Sequence, residues 1–148
     1  MVVIYTSFSC SSSRKAKKWL TQHRVQFIKY NLFSNRFHQK DLDLILKNCI
    51  NGFDDIISKR SKIFKEGNIE LENMNTTLMK SMIMENRGIL KSPIIIEDQK
   101  IQIGYNEEGI RIFLPKKIRD YFLQNNITFC KDNKKYEVLL QNFFKFNK

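Results

Sequence analysis

Val2-Val3-Ile4-Tyr5-Thr6-Ser7-Phe8-Ser9-Cys10-Ser11-Ser12-Ser13-Arg14-Lys15-Ala16 is the stretch on which the fold turns. Val2 to Thr6 is a short apolar and β-branched run that stops at the polar cluster Ser7 to Ser13, which reads as a strand entering a turn. From Ser11 to Gln22 the period changes. Ala16, Trp19 and Leu20 recur at three and four to make a buried stripe, while Arg14, Lys15, Lys17 and Lys18 point elsewhere. Val25 to Tyr30 is again alternating and β-rich. Strand, helix, strand in that order is a βαβ unit with two parallel strands, so an α/β fold is expected.

Further along, the patterning is helical over Asp41 to Cys49, Phe53 to Ile57, Arg60 to Phe64 and Thr76 to Met84, with Gly52, Gly67 and Gly88 as breaks. After Pro93, Ile94-Ile95-Ile96 reads as a buried strand and Ile101 to Tyr105 as its hairpin partner. Asn106 is placed to cap a helix over Glu107 to Phe113, whose two leading glutamates complement the dipole. Pro115 then starts or bends a basic helix through Arg119. Residues 120–148 differ in texture, a polar patch followed by Tyr136, Val138, Leu139, Leu140, Phe143, Phe144 and Phe146, and read as an appended helix that packs on the body or on a partner.

With 148 residues, 42% of them hydrophobic, the chain can bury one core without disulfide staples. No run approaches the roughly 20 apolar residues that cross a bilayer, and the start lacks the charged segment of a signal peptide, so a cytoplasmic protein without membrane contact is expected. Cys10, Cys49 and Cys130 are far apart, which suits a reducing compartment, and no ligand spacing for a metal is visible. The first forty residues hold eight basic side chains and no acidic one, whereas Asp41 to Arg119 is nearly balanced at thirteen basic against twelve acidic. An acidic protein, a nucleic acid or a small oxyanion would be drawn to that N-terminal part.

Cys10, between a strand and a helix start, faces unpaired N–H groups, the positive end of a dipole and the charges of Arg14 and Lys15. A buried small hydrophobe and a reactive thiol are the two readings of such a cysteine. Cys49 and Cys130 read as packing residues, and His23 and His38 as surface residues.

These features resemble the Spx and arsenate reductase (ArsC-like) family. The resemblance runs through Tyr5 to Cys10, Arg14-Lys15-Ala16, Ile56 to Lys62, Ser92-Pro93-Ile94-Ile95, Gly104-Tyr105-Asn106-Glu107-Glu108 and Ile110 to Pro115, covering Met1 to about Arg119. It implies a thioredoxin-like mixed sheet in a domain of residues 1–119, with an inserted helical lobe at about 39–88, a cis peptide at Pro93, and 120–148 as an appended helical segment. The Gly-Tyr-Asn-Glu stretch looks like the Spx members, bacterial regulators that bind the C-terminal domain of the RNA polymerase α subunit and redirect stress-response or cell-envelope genes. The resemblance therefore implies a non-enzymatic regulator without a cofactor, in which Gly52 (by itself no more than a helix break) touches the polymerase α subunit and Arg60 and Lys62 have anion-binding or structural roles. Promoter DNA would be a secondary contact.

Three departures matter. Spx proteins carry a second cysteine three residues after the first, and here that position is Ser13, so an intramolecular disulfide switch is not expected and any redox response would run through Cys10. Ser92 stands where a basic residue commonly precedes the proline. The chain also runs on to Phe146-Asn147-Lys148, past the usual Clp-read tail. The competing reading is a glutathione- and glutaredoxin-coupled arsenate reductase with Cys10 as nucleophile, since Cys10-Ser11-Ser12-Ser13-Arg14 resembles that arrangement too. Such chemistry needs several convergent cations, and Ser92 and Tyr105-Asn106 stand where they would be sought.

Overall fold

A computed structural model describes residues 1–66, 74–124 and 133–146. Strands β1 (Val2–Thr6), β2 (Phe27–Asn31), β3 (Ile94–Glu97) and β4 (Lys100–Ile103) form one sheet in the order β2-β1-β3-β4. β2 runs parallel to β1, with Val2 opposite Phe27, while β3 is antiparallel to both β1 and β4. Crossover from β1 to β2 is made by α1 (Ser11–Gln22).

The period-2 alternation of strands sorts the core into two layers. Val2, Ile4 and Ile95 face a cluster containing Ala16, Trp19, Leu20, Phe113, Ile118 and Phe122. Their neighbours Val3, Tyr5, Ile94 and Ile96 face the opposite cluster, with Leu42, Ile45, Ile56, Met79 and Ile83. Helices α2 (Gln39–Asn48), α3 (Phe53–Ile56), α4 (Lys62–Glu66) and α5 (Thr76–Glu85) make the inserted lobe on that second side. Arg87 fastens it, its guanidinium donating to the carbonyls of Leu32 at 3.1 Å and Ser34 at 2.7 Å.

On the first side, α6 (Lys116–Gln124) and α7 (Asn133–Phe146) cover the sheet beside α1. Leu140 and Phe143 enter the core, and Tyr136 stacks on Phe122 with ring centroids 4.9 Å apart, whereas Phe146 stays exposed. Gly67, Cys130 and the patch at 131–132 lie outside the described residues.

Three expectations are corrected. β2 begins at Phe27 rather than Val25, because Val25 belongs to the end of α1. Arg24 adopts φ +52, its N–H donates to the Thr21 carbonyl, and the Val25 N–H donates to that of Leu20 at 2.9 Å. That is the six-to-one and five-to-two closure of a Schellman turn, with Val25 buried as its apolar contact. Asn106 does cap, its Oδ1 accepting from the N–H groups of Glu108 and Gly109, but the segment it starts, Gly109–Phe113, is a 3₁₀ helix. Glycine at its first position and Pro115 just beyond leave too short a run to propagate an α-helix.

The third concerns His23, which is buried rather than on the surface. The Schellman turn tucks its ring under α7, stacked 3.8 Å from Trp19 and 5.5 Å from the ring of Tyr136. Nδ1 donates to the Trp19 carbonyl at 2.7 Å, which leaves Nε2 as a bare acceptor with no hydrogen-bond partner among the described residues. His38 is exposed, its N–H held by the Asp41 carboxylate at 2.7 Å.

Burial disfavours the charged imidazole of His23 and Arg111 adds to this. The Trp19 carbonyl, Glu107 and Glu137 oppose, and the net shift is downward from 6.5. The folded chain thus refuses a proton that the unfolded chain accepts, so stability is full above about pH 6.5 and declines as pH falls through and below it. Urea unfolding followed by circular dichroism is expected to show a lower midpoint at pH 5.5 than at 7.5, with His23→Gln removing most of the difference. An equal drop in the variant would rule out His23 as the cause.

Candidate functional site

Cys10 is the N-cap of α1, with extended backbone, and its sulfur accepts the Ser13 N–H at 3.4 Å. The thiol donates to the Ser92 carbonyl at 3.5 Å, next to the Ser92–Pro93 peptide, which is cis. Ser92 Oγ in turn lies 3.0 Å from the buried Ser13 hydroxyl and accepts the Ser7 N–H at 2.9 Å. A ring of serines therefore joins the end of β1, the start of α1 and the approach to β3.

Partial burial alone would push the Cys10 thiol up. Hydrogen bonds from the Ser13 hydroxyl and N–H, then from Ser92 and Ser7, outweigh it and hold the thiol below its ordinary value. Cys49 is the contrast: at the C-cap of α2, its thiol donates to the Ile45 carbonyl at 3.2 Å, and burial beside Asp55 pushes it up to about 11. Iodoacetamide at pH 7 is expected to label Cys10 at least about ten-fold faster than Cys49, since thiolate fraction dominates over the weaker nucleophilicity of an acidic thiol. Peptide mass spectrometry at early times decides it, and equal labelling would contradict the serine ring.

Gly52 lies on the lobe as the N-cap of α3, at φ +58 and ψ −124, a conformation open to glycine alone. A Cβ there would meet nothing within 4 Å, so backbone conformation rather than crowding selects the residue. The elbow around it is braced from both sides. The Asp55 carboxylate accepts the N–H groups of Ile50 and Asn51, and the Lys91 ammonium donates to the carbonyls of Asp54 and Asp55.

Arg60 lines an open cleft with Asp54, Ile57, Ser58, Lys59 and Lys91, while Lys62 is exposed at the start of α4. This segment is stitched to the chain leading into Ser92. Ser58 N–H donates to Ile89, Lys91 N–H donates to Ile56, both at 2.7 Å, and Ile57 pairs with Leu90. Gly52, Arg60 and Cys10 thus lie along one connected stretch of the fold. The groups that shift the Cys10 thiol are serines, not guanidiniums. Ser13 as a thiol donor is what the i+3 spacing of an N-cap provides, but the roles of Ser92 and Asp55 depend on tertiary contacts that no local pattern announces.

The ArsC family pattern matches residues 5–113. Over 124 residues, the chain is 43% identical to the global transcriptional regulator Spx of Bacillus subtilis, a match that covers 84% of this chain and 95% of the relative. It is 41% identical over the same length to that of Staphylococcus aureus, with the same coverage. The chain belongs to the Spx branch of the ArsC family. The thioredoxin-like ArsC fold is borne out by solved structures. An ArsC family related protein from Bacteroides fragilis superposes with a TM-score of 0.67 at 16% identity, covering 76% of this chain and 96% of that one. An arsenate reductase from Vibrio cholerae gives 0.63 at 16%, with 76% and 94% covered. Within this ArsC fold, α7 lies beyond the matched residues 5–113, so the family pattern gives no account of the helix that covers His23. No helix among the described residues is long and apolar enough to cross a membrane.

Proposed function

We propose that this chain is a transcription regulator which docks through the Gly52 elbow on the C-terminal domain of the RNA polymerase α subunit. It works in the bacterial cytoplasm without catalytic turnover and without an intramolecular disulfide switch. The observation that carries this reading is the serine ring: the sulfur bonds the Ser13 N–H and the Ser92 carbonyl, and among the described residues the groups that lower its pKa are serines rather than the convergent cations that an oxyanion transition state requires. The likeness to relatives named as global transcriptional regulators supports it. Arg60 and Lys62 then serve as structural or anion-contacting groups beside the elbow, and promoter DNA is a secondary contact of the acid-free first forty residues.

Ser13 stands at the position of a resolving cysteine, and its hydroxyl cannot close a disulfide. Oxidation of Cys10 therefore stops at sulfenic acid or a mixed disulfide with a small thiol, both reversible. Capture of the isolated α C-terminal domain, run beside an arsenate reduction assay with glutathione and glutaredoxin, tests both halves of this proposal. Binding without turnover is the expected result; turnover without binding would reverse it in favour of the reductase.

A further inference from the structure

Asn51-Gly52 is the one place in the chain where glycine follows asparagine. Asparagine is a labile side chain. Its carboxamide carbon can be attacked by the backbone nitrogen of the next residue, and a side chain on that residue hinders the approach. Glycine has none. The attacking nitrogen is also unengaged here: the Gly52 N–H donates to no group among the described residues, and a Cβ added to Gly52 would meet nothing within 4 Å. Asn51 itself is exposed, so water and base have access to it.

Asp55 restrains this reaction in the folded chain. Its Oδ1 accepts the Asn51 side-chain amide at 3.0 Å, and its Oδ2 accepts the N–H groups of Asn51 at 2.9 Å and Ile50 at 3.0 Å. Backbone and side chain of one asparagine are thus tied to one carboxylate, which fixes the torsions on which approach of the carboxamide to the Gly52 nitrogen depends. The Asn51 N–H, and after it the Asn51 side-chain amide, hold the Asp55 carboxyl below its usual value, so it is ionised at neutral pH. Its charge opposes the negative charge that attack would place on the carboxamide.

We propose that Asn51-Gly52 is a self-modifying site, at which the Asn51 carboxamide is converted to a carboxylate, and that the Asp55 clamp sets the rate. The Gly52 nitrogen gives its proton to solvent hydroxide and bonds to Asn51 Cγ. The Cγ–Nδ2 bond then breaks, and Nδ2 takes a proton from water and leaves as ammonia. Water opens the resulting succinimide at either carbonyl, which leaves aspartate or isoaspartate at this position. The product cannot donate to Asp55, and it puts a second negative charge where a donor had stood 3.0 Å from Oδ1. Conversion therefore undoes the clamp that slowed it and marks the age of the elbow in one direction. This goes beyond the docking reading and holds whether or not the elbow touches the polymerase.

The test is to age the full-length chain in mildly alkaline buffer and weigh the peptide spanning the site at intervals, with the same chain unfolded in urea as the unclamped reference. In urea, Asn51 is expected to convert faster than any other asparagine; in the folded chain it is expected to convert at least about ten-fold more slowly, the factor carried by hydrogen bonds to a charged group. Asp55→Ala is expected to recover most of the unclamped rate, and Asp55→Asn, which keeps the shape, to fall between. Should Asp55→Ala melt early, the comparison rests on Asp55→Asn. Asn51→Asp, which mimics the product, is expected to speed hydrogen exchange of the amides at positions 50 and 51 by about ten-fold. No conversion at Asn51 in urea would refute the site, equal rates in wild type and the folded Asp55 variants would refute the clamp, and unchanged exchange in Asn51→Asp would refute the release. Any one of these overturns the proposal.

Discussion

Gly52→Arg is expected to abolish capture of the C-terminal domain of the polymerase α subunit while leaving the protein folded. No L-residue is at ease at φ +58 and ψ −124, and holding one there costs about 1–3 kcal/mol. The elbow can relieve that strain by turning, since a Cβ would meet nothing within 4 Å. Relief of this kind displaces the tip at Ile50 to Gly52, while Ile56 of α3 keeps its place in the core. Gly52→Ala is the companion variant: it introduces the same backbone penalty without the long cationic side chain, and is expected to weaken binding by about ten-fold. Pull-down with each variant, beside a thermal melt, separates the contributions. Undiminished binding by Gly52→Arg would remove the elbow from the interface.

The second large effect concerns the join between the body and α7. Phe122 is fully buried, stacks on Tyr136 at 4.9 Å, and shares its cluster with Trp19, Leu140 and Phe143. Truncating such a ring costs about 3–5 kcal/mol, which for a chain of this size corresponds to a drop of about 10 °C in melting temperature. Because the cluster includes β1 and α1 as well as α7, we expect one cooperative transition in wild type and in Phe122→Ala alike when unfolding is monitored by circular dichroism. A variant that melts in two steps, or with an unchanged midpoint, would mean that residues beyond 119 do not share the core.

Much of this architecture is legible in the residues themselves. β1 and α1 can be read to their ends because the hydrophobic period switches from 2 to 3.6 across a polar cluster, and Cys10 sits where an N-cap belongs. The triplet Ile94 to Ile96 announces a strand buried on both faces, and the alternation places its residues in two different clusters. The start of β2 is not legible, since the left-handed residue that closes α1 is Arg24 rather than a glycine. His23 escapes a local reading for a different reason. Its cover comes from Tyr136, more than a hundred positions away, and no local pattern reports a contact of that range. Similarly, Gly52 is visible as a break, but its braced conformation depends on Asp55 and on Lys91 across the lobe.

Trp19 is the chain's single tryptophan, and it lies face to face with the His23 imidazole where α7 closes over α1. Its emission therefore reports directly on whether the C-terminal helix is seated, with no introduced label. Loss of that helix would admit water to an indole that is now 6% exposed and shift its spectrum to the red, even where total helicity hardly changes. Fluorescence and dichroism are therefore expected to follow one shared transition in this protein, and a departure between them would show α7 leaving before the core opens.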